Sequence, residues 1–332
     1  VELRCITIDE AHCVSEWGHD FRPDYLEISA VRKQFPRAVC LALTATATKQ
    51  VRADIIRNLG LQDPAVMVSS FNRANISLNV APKQNALAQV IDCIRRHWGE
   101  SGIIYCFSRK QVDTLTQQLE KLGYSVLNYH AGLSDQERAD HQTKFIRDEV
   151  QLMVATLAFG MGIDKPNVRF VVHYDMPKSL EQYYQEIGRA GRDGLASEAL
   201  LLYTAADIRK IRYFFEESAD SDKAEQLLQG MIDYATTRCC RRKTLLAYFG
   251  EKSDHDCHQC DVCMENENRL VTPEGQKTAL QQIEQLLGDH QRHHITELFR
   301  LQVPTEELNA ALTHLMEEEQ VTQEDGFICW QP

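Results

Sequence analysis

Short apolar segments alternate with longer helical segments through the middle of this 332-residue chain. The apolar segments have the length of buried strands, and the helical segments are about ten to fifteen residues long. Such alternation is typical of parallel strands joined by right-handed helical crossovers. Strands are predicted at 102–106, 125–129, 151–155 and 169–173, and helices at 85–97, 109–122 and 135–146. The sequence therefore predicts an α/β fold with a parallel sheet in this region.

The beginning of the chain shows the same pattern on a smaller scale. Strands are predicted at 1–8 and 38–43, and helices at 26–35 and 49–59. Gly60 follows the second helix, which favours a helix end there. The polar, Asn-rich residues 69–80 have no helical period, and we interpret them as a linker between two domains.

Two adjacent carboxylates, Asp9 and Glu10, directly follow the first predicted strand. Open α/β sheets bind their ligands at the carboxyl ends of parallel strands. One carboxylate there can hold Mg²⁺ through water, and its neighbour can polarise an attacking water molecule. The alternative is an ordinary helix start, where acidic residues are also common.

The segment from Val154 to Gly194 runs from a strand through a glycine-rich turn to a second strand and a helix. Gln185, Arg189 and Arg192 are three or four residues apart, which predicts that they share one helix face. Guanidinium groups beside a flexible loop suit a site that closes on a triphosphate. The alternative is an ordinary helix with a solvated arginine face.

Residues 15–25 contain three aromatic rings together with an arginine, a glycine and a proline, which favours a loop. Aromatic faces beside an arginine are typical of a platform on which unpaired bases stack. The alternative is a loop that packs its rings into the core. The threonines of residues 44–48 can hydrogen-bond across a domain interface or simply cap the next helix.

Five of the eleven cysteines lie between Cys239 and Cys263. A Cys-x-x-Cys-x-x-Cys sequence with one cysteine upstream supplies four thiolate ligands for tetrahedral zinc. Either Cys239 or Cys240 can be the upstream ligand, and an iron–sulfur cluster is the alternative to zinc. The remaining cysteines are expected to be mostly buried thiols: Cys5, Cys13, Cys40, Cys93, Cys106 and Cys329.

The net charge is −12, but the acidity is concentrated near the end of the chain. Thirteen acidic and four basic residues after Cys263 give −9, which leaves about −3 for residues 1–263. Overall acidity therefore does not exclude a local basic groove for nucleic acid. No apolar run has the length of a membrane span and no leader is recognisable, so we expect a cytoplasmic protein without a membrane partner, nucleoid-associated if bacterial.

Residues 275–332 predict three helices followed by a hairpin, which is the pattern of a winged-helix domain. The helices are expected at 276–287, 295–300 and 305–319, and the strands at 320–323 and 327–330. The third helix is acidic, whereas binding of duplex phosphates requires positive charge. Contact with a protein partner or a structural role is therefore as consistent with the sequence as DNA binding.

The order of the motifs resembles that of superfamily-two helicases. In chain order they are DEAH, LTATAT, GIIYCFSRK, YHAGL, VATLAFGMGIDKPNVRFVVHYDMP and QEIGRAGRDG. The aromatic segment SEWGHDFRPDY and the cysteine pattern resemble the RecQ family in particular. The resemblance covers residues 1 to about 263. It implies an ATP-dependent 3′–5′ DNA helicase that acts in recombination and repair on single-stranded and partly duplex DNA.

The resemblance also implies a domain order. The expected domains are part of a first RecA-like domain (1–68), the linker (69–80), a second RecA-like domain (81–205), a helical zinc-binding module (206–268) and a winged-helix-like domain (269–332).

The resemblance implies a role for each motif residue. A catalytic role in hydrolysis of Mg²⁺-ATP is implied for Asp9, Glu10, Gln185, Arg189 and Arg192, the last as arginine finger. Nucleotide contact or coupling is implied for His12, Thr44, Thr46, Gly160, Gly162 and Asp164. DNA contact is implied for Trp17, Phe21, Arg22, Ser108, Arg109 and Thr156. One structural Zn²⁺ is implied on Cys240, Cys257, Cys260 and Cys263.

The sequence departs from the family pattern in two places. Ala74 stands where the family has proline in the predicted linker, which changes its rigidity rather than the chemistry. The phosphate-binding sequence GxxxxGK[ST] does not occur among the 332 residues, so this chain alone is not expected to hydrolyse ATP. The alternatives are an RNA helicase of the same superfamily and a non-catalytic, zinc-containing protein that binds DNA or other proteins.

Overall fold

A computed structural model of the chain describes residues 2–18, 21–160, 163–215, 221–270, 273–289, 291–294, 297–298, 301, 303, 305–318, 320–324 and 327–330. The chain divides into two compact units, residues 1–261 and 262–332. Within the described residues, no helix is both long and apolar enough to cross a membrane.

The main sheet of the first unit has six strands, which lie in the order β3-β8-β7-β4-β6-β5 and pair only in parallel. The strands are β3 (Ile76–Pro82), β4 (Ser101–Tyr105), β5 (Val126–Tyr129), β6 (Leu152–Ala155), β7 (Val168–His173) and β8 (Ser197–Tyr203). Strands β4, β6 and β7 are buried along their whole length. Burial on both faces explains why these strands are continuously apolar rather than alternating.

Four helices follow strands of this sheet: α3 (Ala86–Arg96), α4 (Arg109–Lys121), α5 (Asp135–Ile146) and α6 (Leu180–Ile187). The residue before each of the first three helices acts as its N-cap. The side chains of Asn85, Ser108 and Ser134 accept hydrogen bonds from backbone N–H groups of the first turn. Glu137 completes a capping box with Ser134. These caps fix where each helix starts and where the preceding loop faces.

The beginning of the chain forms a two-stranded parallel sheet with its own core. Its elements are β1 (Cys5–Ile8), α1 (Ile28–Gln34), β2 (Val39–Ala42) and α2 (Lys49–Asn58). Ile8, Val51 and Ile55 are buried between the strands and α2. Val39 and Leu41 on β2 instead expose 69% and 47% of their surface, so the described residues leave part of this sheet uncovered.

Helices make up the remainder of the first unit. They are α7 (Ala205–Phe215), α8 (Ser221–Thr236) and α9 (Arg241–Tyr248), and α10 (Asp261–Leu270) begins at its last residue. The buried Tyr234 of α8 packs against Tyr183 of α6, with ring centroids 5.1 Å apart. The Arg241 guanidinium donates to the Asp261 carboxylate and to the Tyr234 carbonyl, which ties three helices together.

The described part of the second unit contains the rest of α10, two further helices and a small antiparallel sheet. Its elements are α11 (Pro273–Leu287), β9 (His293–His294), α12 (Thr305–Glu317), β10 (Val321–Glu324) and β11 (Phe327–Trp330). The sheet has the order β10-β11-β9. Ile283, Leu287, Leu312 and Ile328 belong to its buried core. The predicted helices at 276–287 and 305–319 and the predicted hairpin strands are confirmed, whereas β9 was not predicted.

Most predicted elements of the first unit are confirmed to within a few residues, but two details differ. Ile76–Pro82 is an edge strand of the main sheet, although it lies mostly within the segment that was interpreted as a linker. The helix predicted at 26–35 begins with a 3-10 turn at Pro23–Glu27, because proline at its start favours a tight turn. Much of the predicted helix at 295–300 lies outside the described residues. The predicted domain boundaries remain predictions.

Gly102 provides a direct test of the packing of the main sheet. A Cβ atom at this position would lie 2.1 Å from Cζ of the fully buried Phe170 on β7. We therefore expect Gly102→Ala to lower the free energy of unfolding by about 1–3 kcal/mol, as in other overpacked cores. Leu122→Ala serves as the control because Leu122 is 55% exposed. Chemical denaturation measures both changes, and equal stability of the two variants would contradict this packing.

Candidate functional site

Glu10 stands directly after β1 in a backbone conformation that is unusual for a residue with a side chain. Its φ and ψ are 48° and 43°, in the left-handed region, which costs about 1–2 kcal/mol for such a residue. The backbone N–H of Glu10 donates to Oδ1 of Asp9 at 2.9 Å, and Asp9 is exposed. Strain of this kind concentrates at functional sites, where the surrounding structure holds it in place.

His12 connects Glu10 to the threonine segment after β2. Nδ1 of the buried His12 lies 3.3 Å from Oε2 of Glu10 and 3.0 Å from Oγ1 of Thr44. The backbone N–H of Thr46 donates to the same hydroxyl of Thr44 at 3.3 Å. His12 therefore links residues from two separate motifs, DEAH and LTATAT.

A cavity of about 300 Å³ brings several of the predicted residues together. Its walls include Glu10, His12, Arg22, Gly160, Gln185 and Arg189. Arg189 is only 6% exposed, so its positive charge is held inside the protein rather than in solvent. A Cβ atom at Gly160 would lie 3.1 Å from the Leu157 carbonyl oxygen, which is tighter than most Cβ contacts, and 3.5 Å from the Arg189 guanidinium. Gly162 lies outside the described residues.

Arg192 does not line this cavity, and the prediction that it shares a helix face with Gln185 and Arg189 is wrong. Helix α6 ends at Ile187, and a turn carries both arginines. Gly191 has φ +55° in this turn, a conformation that a helix cannot contain. Nη1 of Arg192 instead lies 2.8 Å from Oδ1 of Asp164, which is highly exposed.

Two residues of the predicted linker hold this turn in place. Arg73 donates to the carbonyl oxygens of Ala190 and Gly191 at 2.9 and 3.0 Å. Nδ2 of Asn75 donates to the Gly191 carbonyl at 2.8 Å and would lie 2.4 Å from a Cβ atom at that glycine. Sequence reasoning missed these two residues, although the motif SFNRANI was a usable signal. They position the segment that carries Arg189 and Arg192.

A second cavity of about 530 Å³ lies beyond the carboxyl ends of β4, β6 and β7. Its walls include the predicted residues Ser108 and Thr156, and also Phe107, Lys178, Lys210 and Phe214. Burial lowers the pKa of Lys178. Arg109 is the first residue of α4. It is exposed to solvent and does not line the cavity.

Glu186 belongs to the walls of both cavities, together with Leu157 and Gln182. Its Oε2 accepts a hydrogen bond from Nε2 of His173 at 2.7 Å, and both side chains are buried. Its Oε1 accepts from Nε2 of Gln182 at 3.0 Å. Neither Glu186 nor His173 was singled out from the sequence.

The aromatic loop is fixed at its start by a hydrogen bond, and two of its rings are accessible to solvent. The hydroxyl of Ser15 donates to the buried Asp54 carboxylate of α2 at 2.7 Å. Trp17 is 38% exposed, and Phe21 is also accessible. The ammonium of Lys223 on α8 lies 6.0 and 5.8 Å from these two ring centroids. Trp17 and Phe21 thus keep part of their surface accessible, whereas the third ring of the loop, Tyr25, packs against the core beside α2.

The predicted zinc ligands come together as one cluster. Cys240, Cys257, Cys260 and Cys263 have sulfur atoms that all lie within 4.8 Å of one another. Thiolates at about 2.3 Å from a tetrahedral zinc ion are about 3.8 Å apart, so this donor set fits the metal. Cys239 is exposed and stands outside the cluster, which resolves the choice in favour of Cys240.

Backbone groups polarise the cluster. The N–H of Arg241 donates to Sγ of Cys260 at 3.4 Å, and the N–H of Cys257 donates to Sγ of Cys240 at 3.3 Å. Burial raises the pKa of the Cys257 thiol, but hydrogen bonds from the Gln259 backbone and the neighbouring cysteines lower it to about 7. The Cys257 thiolate is thereby accessible near neutral pH. Four thiolate ligands on one zinc ion leave no open position for catalysis.

The two adjacent cysteines 239 and 240 allow a matched test of the metal site. We expect Cys260→Ser to abolish stoichiometric zinc and to lower the free energy of unfolding by about 4–5 kcal/mol, as loss of a structural metal does. Cys239→Ser should keep both zinc content and stability, because Cys239 is exposed. Metal analysis and chemical denaturation measure the two effects. A Cys260→Ser protein that remains folded with full zinc would contradict the assignment.

Comparison with known proteins places these features in a family. Residues 82–194 match the helicase conserved C-terminal domain, and residues 205–264 match the RecQ zinc-binding domain. The ATP-dependent DNA helicase RecQ of Pasteurella multocida is 43% identical over 291 residues, which cover 86% of this chain and 46% of that protein. The RecQ-like DNA helicase BLM of Xenopus laevis is 44% identical over 284 residues, covering 80% and 21%.

The fold has relatives among solved structures. Dbp5 of S. cerevisiae, bound to RNA and ADP BeF3, matches with a TM-score of 0.53 at 20% identity, covering 69% of this chain and 63% of that one. This likeness supports a RecA-like α/β fold. The chain spans about half the length of the bacterial relatives that it matches. With its helicase domain, zinc-binding domain and motif order, the chain belongs to the RecQ family of superfamily-two helicases.

Proposed function

We propose that the chain is part of an ATP-dependent 3′–5′ DNA helicase that works in recombination and repair. The observation that carries this proposal is the wall shared by the two cavities. Leu157, Gln182 and Glu186 face both the arginine-lined cavity and the larger cavity at the strand ends. A motor requires a mechanical link of this kind between nucleotide and track. The names of the relatives support DNA as the track.

We assign the smaller cavity to the phosphates of Mg²⁺-ATP. Asp9 would hold the ion through water, and Glu10 would orient and polarise the attacking water. His12 positions the Glu10 carboxylate, and the buried guanidinium of Arg189 stabilises charge on the transferred phosphoryl group. Arg192 contacts the exposed Asp164 and must leave it to act as the arginine finger.

The other nucleotide contacts in this proposal come from flexible or hydroxylic residues. Thr44 and Thr46 relay the nucleotide state through His12, and Gly160 lets the backbone approach the nucleotide closely. Gly162, outside the described residues, is assigned to nucleotide contact from the motif alone. The phosphate-binding sequence GxxxxGK[ST] does not occur among the 332 residues. Tests of ATP hydrolysis therefore require the full-length protein.

We assign the larger cavity and the aromatic loop to single-stranded DNA. The hydroxyls of Ser108 and Thr156 and the ammonium of Lys178 suit backbone phosphates. Arg109 at the start of α4 would contact the strand outside the cavity. The exposed ring of Trp17 and the partly exposed ring of Phe21 suit unpaired bases, and Arg22 of the same loop lines the smaller cavity. Loop and nucleotide site are thus adjacent.

The final domain and the location of the protein complete the proposal. Residues 264–332 carry a charge of −9, which opposes contact with phosphates. We propose that this domain contacts a protein partner. A helicase of this class would work in the cytoplasm, at the nucleoid in a bacterium.

DNA binding can be tested on the chain itself. We expect Lys178→Ala to weaken binding of a single-stranded oligonucleotide and to reduce the slope of log affinity against log salt by about 0.7, because one phosphate contact is lost. Lys121→Ala is the control, since Lys121 is exposed at the other end of α4. Fluorescence anisotropy with DNA and RNA of the same sequence separates the alternatives. Tighter binding of RNA would favour the RNA-helicase alternative and contradict the proposal.

Coupling can be tested with two buried glutamates of α6 in the full-length protein. We expect Glu186→Gln to reduce the stimulation of ATP hydrolysis by DNA at least about fivefold, the lower range for a coupling between two sites. Glu181→Gln is the matched control, because Glu181 is equally buried but accepts from Tyr248 at 2.7 Å and lies outside both cavities.

Steady-state hydrolysis with and without single-stranded DNA gives the stimulation ratio for each variant. DNA affinity, measured separately, distinguishes lost coupling from lost binding. An unchanged ratio in Glu186→Gln would contradict the role of the shared wall, and an equal loss in both variants would indicate a general packing defect instead.

A further inference from the structure

A second group of metal-binding side chains lies where α3 packs against β8, away from the cavities and from the Cys240 cluster. Cys93 lies in the last turn of α3, His97 is the residue directly after this helix, and Glu198 stands on β8. One ligand atom from each of these three residues lies within 4.8 Å of the others. A helix and a strand that are far apart in sequence thus contribute a thiol, an imidazole and a carboxylate to one point.

His97 is oriented as metal-binding histidines usually are. Its Nδ1 lies 2.8 Å from Oε2 of Glu100, and its Nε2 lies 3.0 Å from Oε2 of Glu198. A histidine that donates one ring N–H to a carboxylate presents the other nitrogen to a metal ion. The ring of Phe170 stacks on the imidazole with centroids 5.1 Å apart, which fixes the plane of the ring.

Glu198 is also oriented by its neighbours. Its Oε1 accepts hydrogen bonds from Arg96 at 2.8 Å and from Asn79 at 3.3 Å. This arrangement occupies one carboxylate oxygen and turns the other toward His97. The side chains of His97 and Glu198 are therefore each oriented by hydrogen bonds from neighbouring residues, as in preorganised metal sites.

Charge and exposure suit a divalent cation. With the Cys93 thiol deprotonated, the group contains three negative charges, on Cys93, Glu100 and Glu198, and one positive charge, on Arg96. A divalent cation would neutralise the remainder. Cys93 is fully buried, whereas the side chains of His97 and Glu198 are 19% and 11% exposed, which leaves a solvent side for a water ligand.

We propose that Cys93, His97 and Glu198 form a second metal site, which takes Zn²⁺ or another thiophilic divalent ion with water as fourth ligand. A thiolate, an imidazole and a carboxylate favour such ions over Mg²⁺ and Ca²⁺, which prefer oxygen ligands. The ion would cross-link α3 to β8 and thereby stabilise this side of the main sheet. The site is independent of the proposed helicase function.

Cobalt titration of the full chain tests the site. The chain is first loaded with zinc until the Cys240 cluster is full, as verified by metal analysis, and Co²⁺ is then added. We expect one further metal ion per chain and a thiolate-to-cobalt charge-transfer band. The band and the additional ion should disappear in Cys93→Ala and His97→Ala. Cys106→Ala is the matched control, because Cys106 is a buried thiol of the same core and should leave both signals intact.

Glu198→Gln keeps the shape of the carboxylate and provides a second variant if an alanine variant fails to fold. We expect it to weaken cobalt binding while circular dichroism shows a folded protein. Zinc in excess of the first equivalent should raise the melting temperature of the wild type but not of His97→Ala. Absence of a second equivalent in the wild-type chain would overturn the proposal and leave an ion pair of His97 with its two carboxylates. Cobalt binding that persists in His97→Ala would overturn it as well.

Discussion

The hydrogen bond between Glu186 and His173 joins the two halves of the proposed motor site. Both side chains are buried, so this contact of 2.7 Å is shielded from solvent and cannot rearrange freely. His173 ends a central strand of the sheet, and Glu186 lies in the last turn of α6, directly before the turn with the two arginines. In the proposed motor, a shift of that turn would pass through this contact to the strand end, where the larger cavity begins. A coupling element requires two discrete arrangements, and the proposal is that the nucleotide selects between two positions of this contact.

The turn after α6 is held in place by hydrogen bonds from the polar segment before β3. Arg73 and Asn75 donate to the carbonyl oxygens of Ala190 and Gly191, which lie in the turn beyond the end of the helix. The same segment contacts the zinc-binding module, because Arg242 of α9 donates to the carbonyl oxygens of Arg73 and Ile76 at 2.7 and 2.5 Å. The cysteine cluster fixes the start of α9 at Cys240 and thus supports the nucleotide-side turn from a distance. Loss of the structural metal is therefore expected to disturb the turn that carries Arg189 and Arg192.

Local sequence signals predicted much of the fold, because caps and turns act over a few residues. Ser108 and Gly60 marked helix ends correctly, and the Cys-x-x-Cys-x-x-Cys spacing located three of four metal ligands. Features that depend on distant partners were not accessible from the sequence. The spacing of Arg189 and Arg192 resembled a helix face, but Gly191 and Asn75 impose a turn. The left-handed conformation of Glu10 and the meeting of Cys93 with Glu198 likewise arise only from tertiary packing.

Linkage between nucleotide and DNA tests the central claim most directly. In the full-length protein, the affinity for single-stranded DNA is measured with and without a non-hydrolysable ATP analogue, and the affinity for the analogue is measured with and without DNA. A shared wall predicts that each ligand changes the affinity of the other by the same factor, clearly different from one, since coupling free energies are reciprocal. Affinities that do not depend on the other ligand would show that the two cavities act separately and would contradict the account.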